Sequence, residues 1–240
     1  MRRHLWAFVT VCSCSTADQG KASSPPDTLA HSYETDFPRA ENPLSEGGRW
    51  LTGRASGVDW ADVATTPHRA FGLQGPVDYS DATAILRGSW GPDQRVSATV
   101  FTTTAPLKEE CYSEVELRLR SVLAYRHNRG YEITYKVSQS PLAYLIIVRW
   151  NGALGNYTYL FRDVGRRYAI QSGDTISASI IGNVITAYRN GEVMARASDS
   201  TFATGNPGIG FALGVRPSEC ANTHDHYGFS RVVATDRPED

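Results

Sequence analysis

The sequence predicts an all-β fold, a sandwich or a barrel, on three observations. From Asp36 onward, short runs of apolar/polar alternation recur every 8–12 residues or so, the rhythm of strands joined by turns. Gly182-Asn183 and Asn190-Gly191 each separate two such runs, and a two-residue hairpin turn needs residues that tolerate φ > 0. No segment keeps a helical period for more than a turn or two.

The chain divides into three parts. Residues 1–17 are read as an export signal, because the basic Met1-Arg2-Arg3-His4 precedes a short apolar run, Leu5 to Val11, and then small residues. Val11-Cys12-Ser13-Cys14 resembles a bacterial lipobox, which implies a lipid on Cys14; cleavage after Ala17 is the alternative. Residues 18–35 are polar, with Pro25-Pro26 in their middle, and are read as a flexible spacer. Residues 36–240 carry the strands. No run reaches the roughly 18–20 apolar residues of a membrane span, so membrane contact is expected only through the N-terminal lipid.

In order, the expected strands are Gly57–Val63, Arg69–Gly72, Ala82–Arg87, Arg95–Thr102, Tyr112–Ser121, Gly130–Val137 and Ala143–Trp150. Tyr157–Arg162, Asp174–Ile181, Val184–Arg189, Glu192–Ser198, Gly208–Leu213 and Tyr227–Ala234 follow. Each is a run rich in β-branched, aromatic or small apolar residues between Gly, Pro, Asn, Asp or Ser. The two tight turns set a register in which Ile180 faces Ile185, Ala178 faces Ala187, Ala187 faces Met194 and Arg189 faces Glu192. In Tyr112–Ser121, Val115, Leu117 and Leu119 alternate with Glu114, Glu116, Arg118 and Arg120. The apolar set must face the core, since a one-residue slip would bury four charges. The charged set is expected outward, beside Glu132, Thr134 and Lys136 of the next strand.

A net charge of −1 excludes a strongly basic nucleic-acid surface. With Cys12 and Cys14 in the signal, Cys111 and Cys220 remain; an exported protein is expected to join them in a disulfide, and two buried thiols are the alternative. No Cys/His spacing suggests zinc. His224-Asp225-His226 is read as a surface loop.

Several segments together resemble the concanavalin A-like lectin/glucanase superfamily, the jelly-roll class that includes LamG-type modules. They are Asp36-Phe37 with Arg39 and Asn42-Pro43-Leu44, Gly48-Arg49-Trp50, Trp90-Gly91-Pro92-Asp93-Gln94, and Val148-Arg149-Trp150-Asn151-Gly152. The resemblance covers roughly residues 36 to 235 and implies a two-sheet antiparallel β-sandwich. Many members hold a structural calcium near the paired terminal strands. Here Asp36 is kept, Gly228 stands where an Asp is usual, and Asp225 is displaced. The reading is no cofactor, with calcium at Asp36 and Asp225 as the alternative.

The resemblance leaves the ligand open, because this fold hosts lectins, hydrolases, lyases and adhesion modules. The expected ligand surface is Arg118, Arg120, Glu132 and Arg149, with Trp90 and Trp150 as sugar platforms; the plainer alternative is a solvated face of cross-strand ion pairs. Glycoside hydrolysis needs two carboxyls about 5–10 Å apart. Glucanases of the superfamily carry them as Glu-x-Asp-x-x-Glu, which Glu114-Val115-Glu116 only approaches. Arg118-Leu119-Arg120 and Tyr135-Lys136 echo alginate-lyase motifs, without their Gln-x-His. The favoured reading is a monomeric, secreted or envelope-bound, carbohydrate-binding or adhesion module without catalysis. A polysaccharide-degrading enzyme using Glu116, Arg118, Arg120 and Glu132 is the alternative, and a structural envelope module is the third.

Overall fold

The computed structural model describes residues 31–54, 60–73, 81–103, 107, 111–213, 220 and 225–238. The proposed signal, Cys14 and His224 lie outside these residues. The strands are β1 (Ser32–Thr35), β2 (Trp50–Thr52), β3 (Val63–Thr66), β4 (Arg69–Gly72), β5 (Ala82–Leu86), β6 (Gln94–Thr102), β7 (Glu114–Ala124) and β8 (His127–Lys136). They continue as β9 (Tyr144–Gly152), β10 (Tyr157–Val164), β11 (Thr175–Ile181), β12 (Val184–Arg189), β13 (Glu192–Ser198), β14 (Asn206–Ala212) and β15 (Tyr227–Thr235). A 3₁₀ turn at Arg166–Tyr168 follows β10.

Two antiparallel sheets form a sandwich. One runs β13-β12-β11-β6-β15-β4-β3, with β1 paired to β15; the other runs β10-β9-β8-β7-β14-β5-β2. Between them, Val96, Ala98, Ile176, Ala178, Ile180, Ile185 and Val232 of the first sheet meet Val115, Leu117, Tyr131, Ile133, Ile147 and Phe211 of the second. These side chains come from alternate positions, as the pleat requires.

The hairpin register holds at Ile180–Ile185, Ala178–Ala187 and Arg189–Glu192. Asn190 and Gly191 have φ of 50° and 85°, the left-handed pair of a I′ turn. A bulge in β13 places Ala187 opposite Ala195 rather than Met194. The sandwich also begins earlier than expected. Residues 32–35, assigned to the spacer, form β1 and pair with Val232–Thr235. Of the expected strand Gly57–Val63, residues 57–59 lie outside the described residues, Ala61 makes an isolated bridge, and Val63 starts β3. Cys111 and Cys220 form a disulfide.

Candidate functional site

The seven-stranded sheet has a second face, turned away from the core. Its pairing lays the charged residues of β7 and β8 out in cross-strand rows. Ala212, Glu114 and Lys136 form one row, with Tyr144 beyond. Thr83, Gly210, Glu116, Thr134 and Ile146 form the second, and Ile85, Gly208, Arg118, Glu132 and Val148 the third.

The charged face was expected to meet solvent. It does not: Glu116 is 0% exposed, Arg118 1% and Glu132 6%. Trp60 lies over Arg118, with the guanidinium carbon 6.0 Å from its ring, and stands edge-on to Trp150 at 4.7 Å. Both tryptophans are buried and pack with Val148. The segment carrying Trp60 is held by the bridge Ala61–Ala82.

The covered groups pair with one another, although Glu116 Oε1 and Arg118 Nε keep no hydrogen-bond partner. Arg118 pairs with Glu116 and Glu132 and donates to Thr83 Oγ1 at 3.1 Å. Glu132 also accepts from Trp150 Nε1 at 2.5 Å and Thr134 Oγ1 at 2.7 Å. Tyr144 donates to Glu114. Gly210 leaves room for this pair, because a Cβ at that position would meet the Glu116 carboxylate and the Arg118 guanidinium and force them to shift.

Among the described residues, this face sets the carboxyls of Asp81, Glu114, Glu116 and Glu132 against the cations of Arg118 and Lys136. Burial disfavours the surplus negative charge and raises carboxyl pKa values. Glu114 is pushed up to about 8, chiefly by burial, with the Tyr144 hydrogen bond opposing. Asp81 is pushed up to about 7 by burial and then by the Glu132 charge, against Arg118. Burial also holds Glu116 well above the usual carboxylate range, although Arg118 opposes it. Asp81, Glu116 and Glu132 offer oxygens within 4.8 Å of one another, the arrangement of a cation site. Arg118 lies against two of the three, so the cation this group holds is a guanidinium.

Arg120 does not belong to this face. A bulge separates Leu119 from Val122, and Arg120 has φ 46°. Its side chain turns toward the other sheet, where Nε donates to Pro92 O (2.6 Å), Nη1 to Phe202 O (3.0 Å) and Nη2 to Gly182 O (2.7 Å). Arg149 shares the core-side parity of Ile147 and pairs at the sheet's end with Asp199 at 2.5 Å. Trp90 lies apart, donating to Arg87 O and facing the His31 ring. The expected set therefore splits: Arg118, Glu132 and Trp150 come together, and Arg120, Arg149 and Trp90 do not join them. Tyr135 faces the core while Lys136 faces outward, so the lyase-like pair is split as well. Asp36 bonds His68 at 3.1 Å, and Asp225 lies 3.9 Å from His226; neither belongs to the acidic group above.

The same face opens toward its edge. Tyr157 pairs with Trp150 and Tyr159 with Val148, so both tyrosines point outward from β10. Their rings extend the tryptophan pair as a chain, Trp150 to Tyr157 and Tyr157 to Tyr159, each step 5.2 Å. Trp60 is 2% exposed and Tyr159 47%. The chain therefore runs from a sealed interior to an open aromatic ledge. Sequence reasoning placed the strand but assigned the ledge no role; the alternation Tyr157-Thr158-Tyr159 was the signal for it. Asp81 carried no such signal.

Neither a family model nor a curated protein sequence matches this chain. Solved structures do. One comes from work on endo-acting O-glycanases expressed by prominent members of the human gut microbiota to initiate mucin breakdown. It has a TM-score of 0.57 at 10% identity, covering 86% of this chain and 99% of that one. The metal-free carbohydrate recognition domain of Emp46p gives 0.55 at 8%, covering 85% and 96%. The exoplasmic/lumenal domain of VIP36 in its Ca2+/Man-bound form gives 0.54 at 10%, covering 87% and 93%. At these identities the likeness is one of fold, and the fold is the lectin-type jelly roll.

Proposed function

We propose that this domain binds glycans without cleaving them, through the ledge of Tyr157 and Tyr159. The observation that carries this reading is the division of one sheet face. Glu116 and Glu132 are buried with Arg118, over which Trp60 lies, while the aromatic chain of the same face ends in the open at Tyr159. Tyrosine suits a sugar face, since its ring supplies apolar area and its hydroxyl a polar tip. The carbohydrate-recognition fold of Emp46p and the mannose-bound form of VIP36 support the same class.

The rival reading is a hydrolase. It draws on carboxyls held protonated near neutral pH, a property of general acids. Hydrolysis needs the scissile bond between two carboxyls, and Glu116 and Glu132 are covered and joined through Arg118. A glycan array followed by titration separates the readings. Binding is expected, and Tyr159→Ala is expected to weaken it at least about tenfold, a loss of about 1.4 kcal/mol or more. New reducing ends or unsaturated products would favour the enzyme. Silence on every glycan would favour a structural module.

The Cys111–Cys220 bridge supports an extracytoplasmic setting, because such bonds persist in oxidising compartments. N-terminal sequencing of the mature protein tests this; a lipid-blocked Cys14 or a start at Asp18 is expected, and an intact Met1 would refute export.

A further inference from the structure

We propose that the ledge is selective for anionic sugars, pyranoses carrying a carboxylate or a sulfate, and that Arg162 is the selecting residue. The inference rests on the glycan-binding reading. Arg162 pairs with Ile146 across β9 and β10, which puts it on the same outward face as Tyr157 and Tyr159. It is exposed, and its guanidinium carbon lies 5.4 Å from the Tyr159 ring centre. That contact holds the cation beside the stacking surface before any ligand arrives.

The surroundings leave this charge uncompensated. Among the described residues Arg162 has no carboxylate partner. Its neighbour Asp163 pairs with Leu145, on the opposite parity, and is engaged by Arg167 and by Tyr168 at 3.0 Å. The carboxyls of the outer face are engaged elsewhere: Glu114 by Tyr144, Glu116 by Arg118, Glu132 by Arg118, Trp150 and Thr134, and Asp81 by the charge of Arg118 in the same cluster. Lys136, on the same face, is buried beside Tyr144. The accessible field at the ledge is therefore that of a guanidinium beside tyrosine rings. A guanidinium offers a planar fork of donors that matches a carboxylate or a sulfate, where a neutral hydroxyl accepts one bond at a time. The stacking part of recognition falls to the tyrosines, and the choice of charge falls to Arg162.

The test is a titration of the full chain against oligogalacturonate, its methyl ester, a sulfated galactan and a neutral galactan at low salt. The wild type is expected to bind one or both anionic probes at least about tenfold more tightly than the neutral ones, the scale of one charge-assisted contact. The uronate and sulfate arms tell which anion is taken. Arg162→Ala is expected to erase that preference while leaving neutral-glycan affinity within about twofold, and Arg162→Lys to restore part of it. Unfolding midpoints of the variants check that they fold. Equal affinity for acidic and neutral probes, or an unchanged preference in Arg162→Ala, would overturn the inference and leave the glycan reading standing. Loss of all binding in Tyr159→Ala with no preference in the wild type would do the same. No binding to any probe would sink both.

Discussion

Arg118 and Arg120 are two residues apart on one strand, and their side chains leave it for opposite sides of the sheet. Arg118 lies beneath Trp60 among carboxyls. Arg120 follows the bulge and, with φ 46°, ties together the carbonyls of Pro92, Gly182 and Phe202. Left-handed φ costs a non-glycine residue about 1 kcal/mol, and three charge-assisted hydrogen bonds offset it. Arg120→Ala is expected to lower stability by about 2 kcal/mol, since it removes a buried guanidinium and the three charge-assisted hydrogen bonds it donates. The denaturant midpoint of the purified domain measures this. A loss below about 1 kcal/mol would mean that water replaces the guanidinium. Nothing in Arg118-Leu119-Arg120 marks the bulge. Strict alternation puts both arginines on one face, and only the insertion of one residue opposite β8 separates them.

At the scale of the element, β7 to β10 were legible on one side only. Val115, Leu117 and Leu119 of β7 and Tyr131, Ile133 and Tyr135 of β8 enter the core as the alternation requires. The same alternation says that Glu116, Arg118 and Glu132 share the other face, and they do. It does not say whether that face is wet. Period-two patterning sorts residues into two sets, but what covers the second set comes from elsewhere in the chain. Here Trp60 and Asp81 arrive beside β5, and neither lies near β7 in sequence. The solvated-face expectation therefore fails for β7 and β8 at the centre of the sheet, and the open part of this face is the edge strand β10, where Tyr159 and Arg162 are exposed. The residues offered for ligand binding moved accordingly, from the centre of the sheet to its rim.

For the molecule as a whole, the crowded carboxyls of the outer face make stability depend on pH. Glu114 holds its proton to about pH 8, against an ordinary value of 4.5, and Asp81 to about pH 7, against 3.8. The folded chain thus keeps protons that the unfolded chain releases. The stability these groups contribute is fully present below about pH 4 and is lost as pH rises through about 7 to 8. Thermal midpoints are expected to fall between about pH 4 and pH 8 and to level off above that, and Glu114→Gln to flatten the fall. A midpoint that holds steady or climbs across that window would contradict the arrangement. By itself the sequence determined the all-β class, most of the strands, the tight turns and the core-facing set. Those follow from turn chemistry and periodicity, which act between residues close along the chain. Only the tertiary structure decided that the charged rows lie under a tryptophan, that Arg120 leaves them, and that the open surface is the tyrosine ledge beside Arg162. Burial of a polar face depends on segments brought together across the fold, and no local pattern encodes which segment that will be.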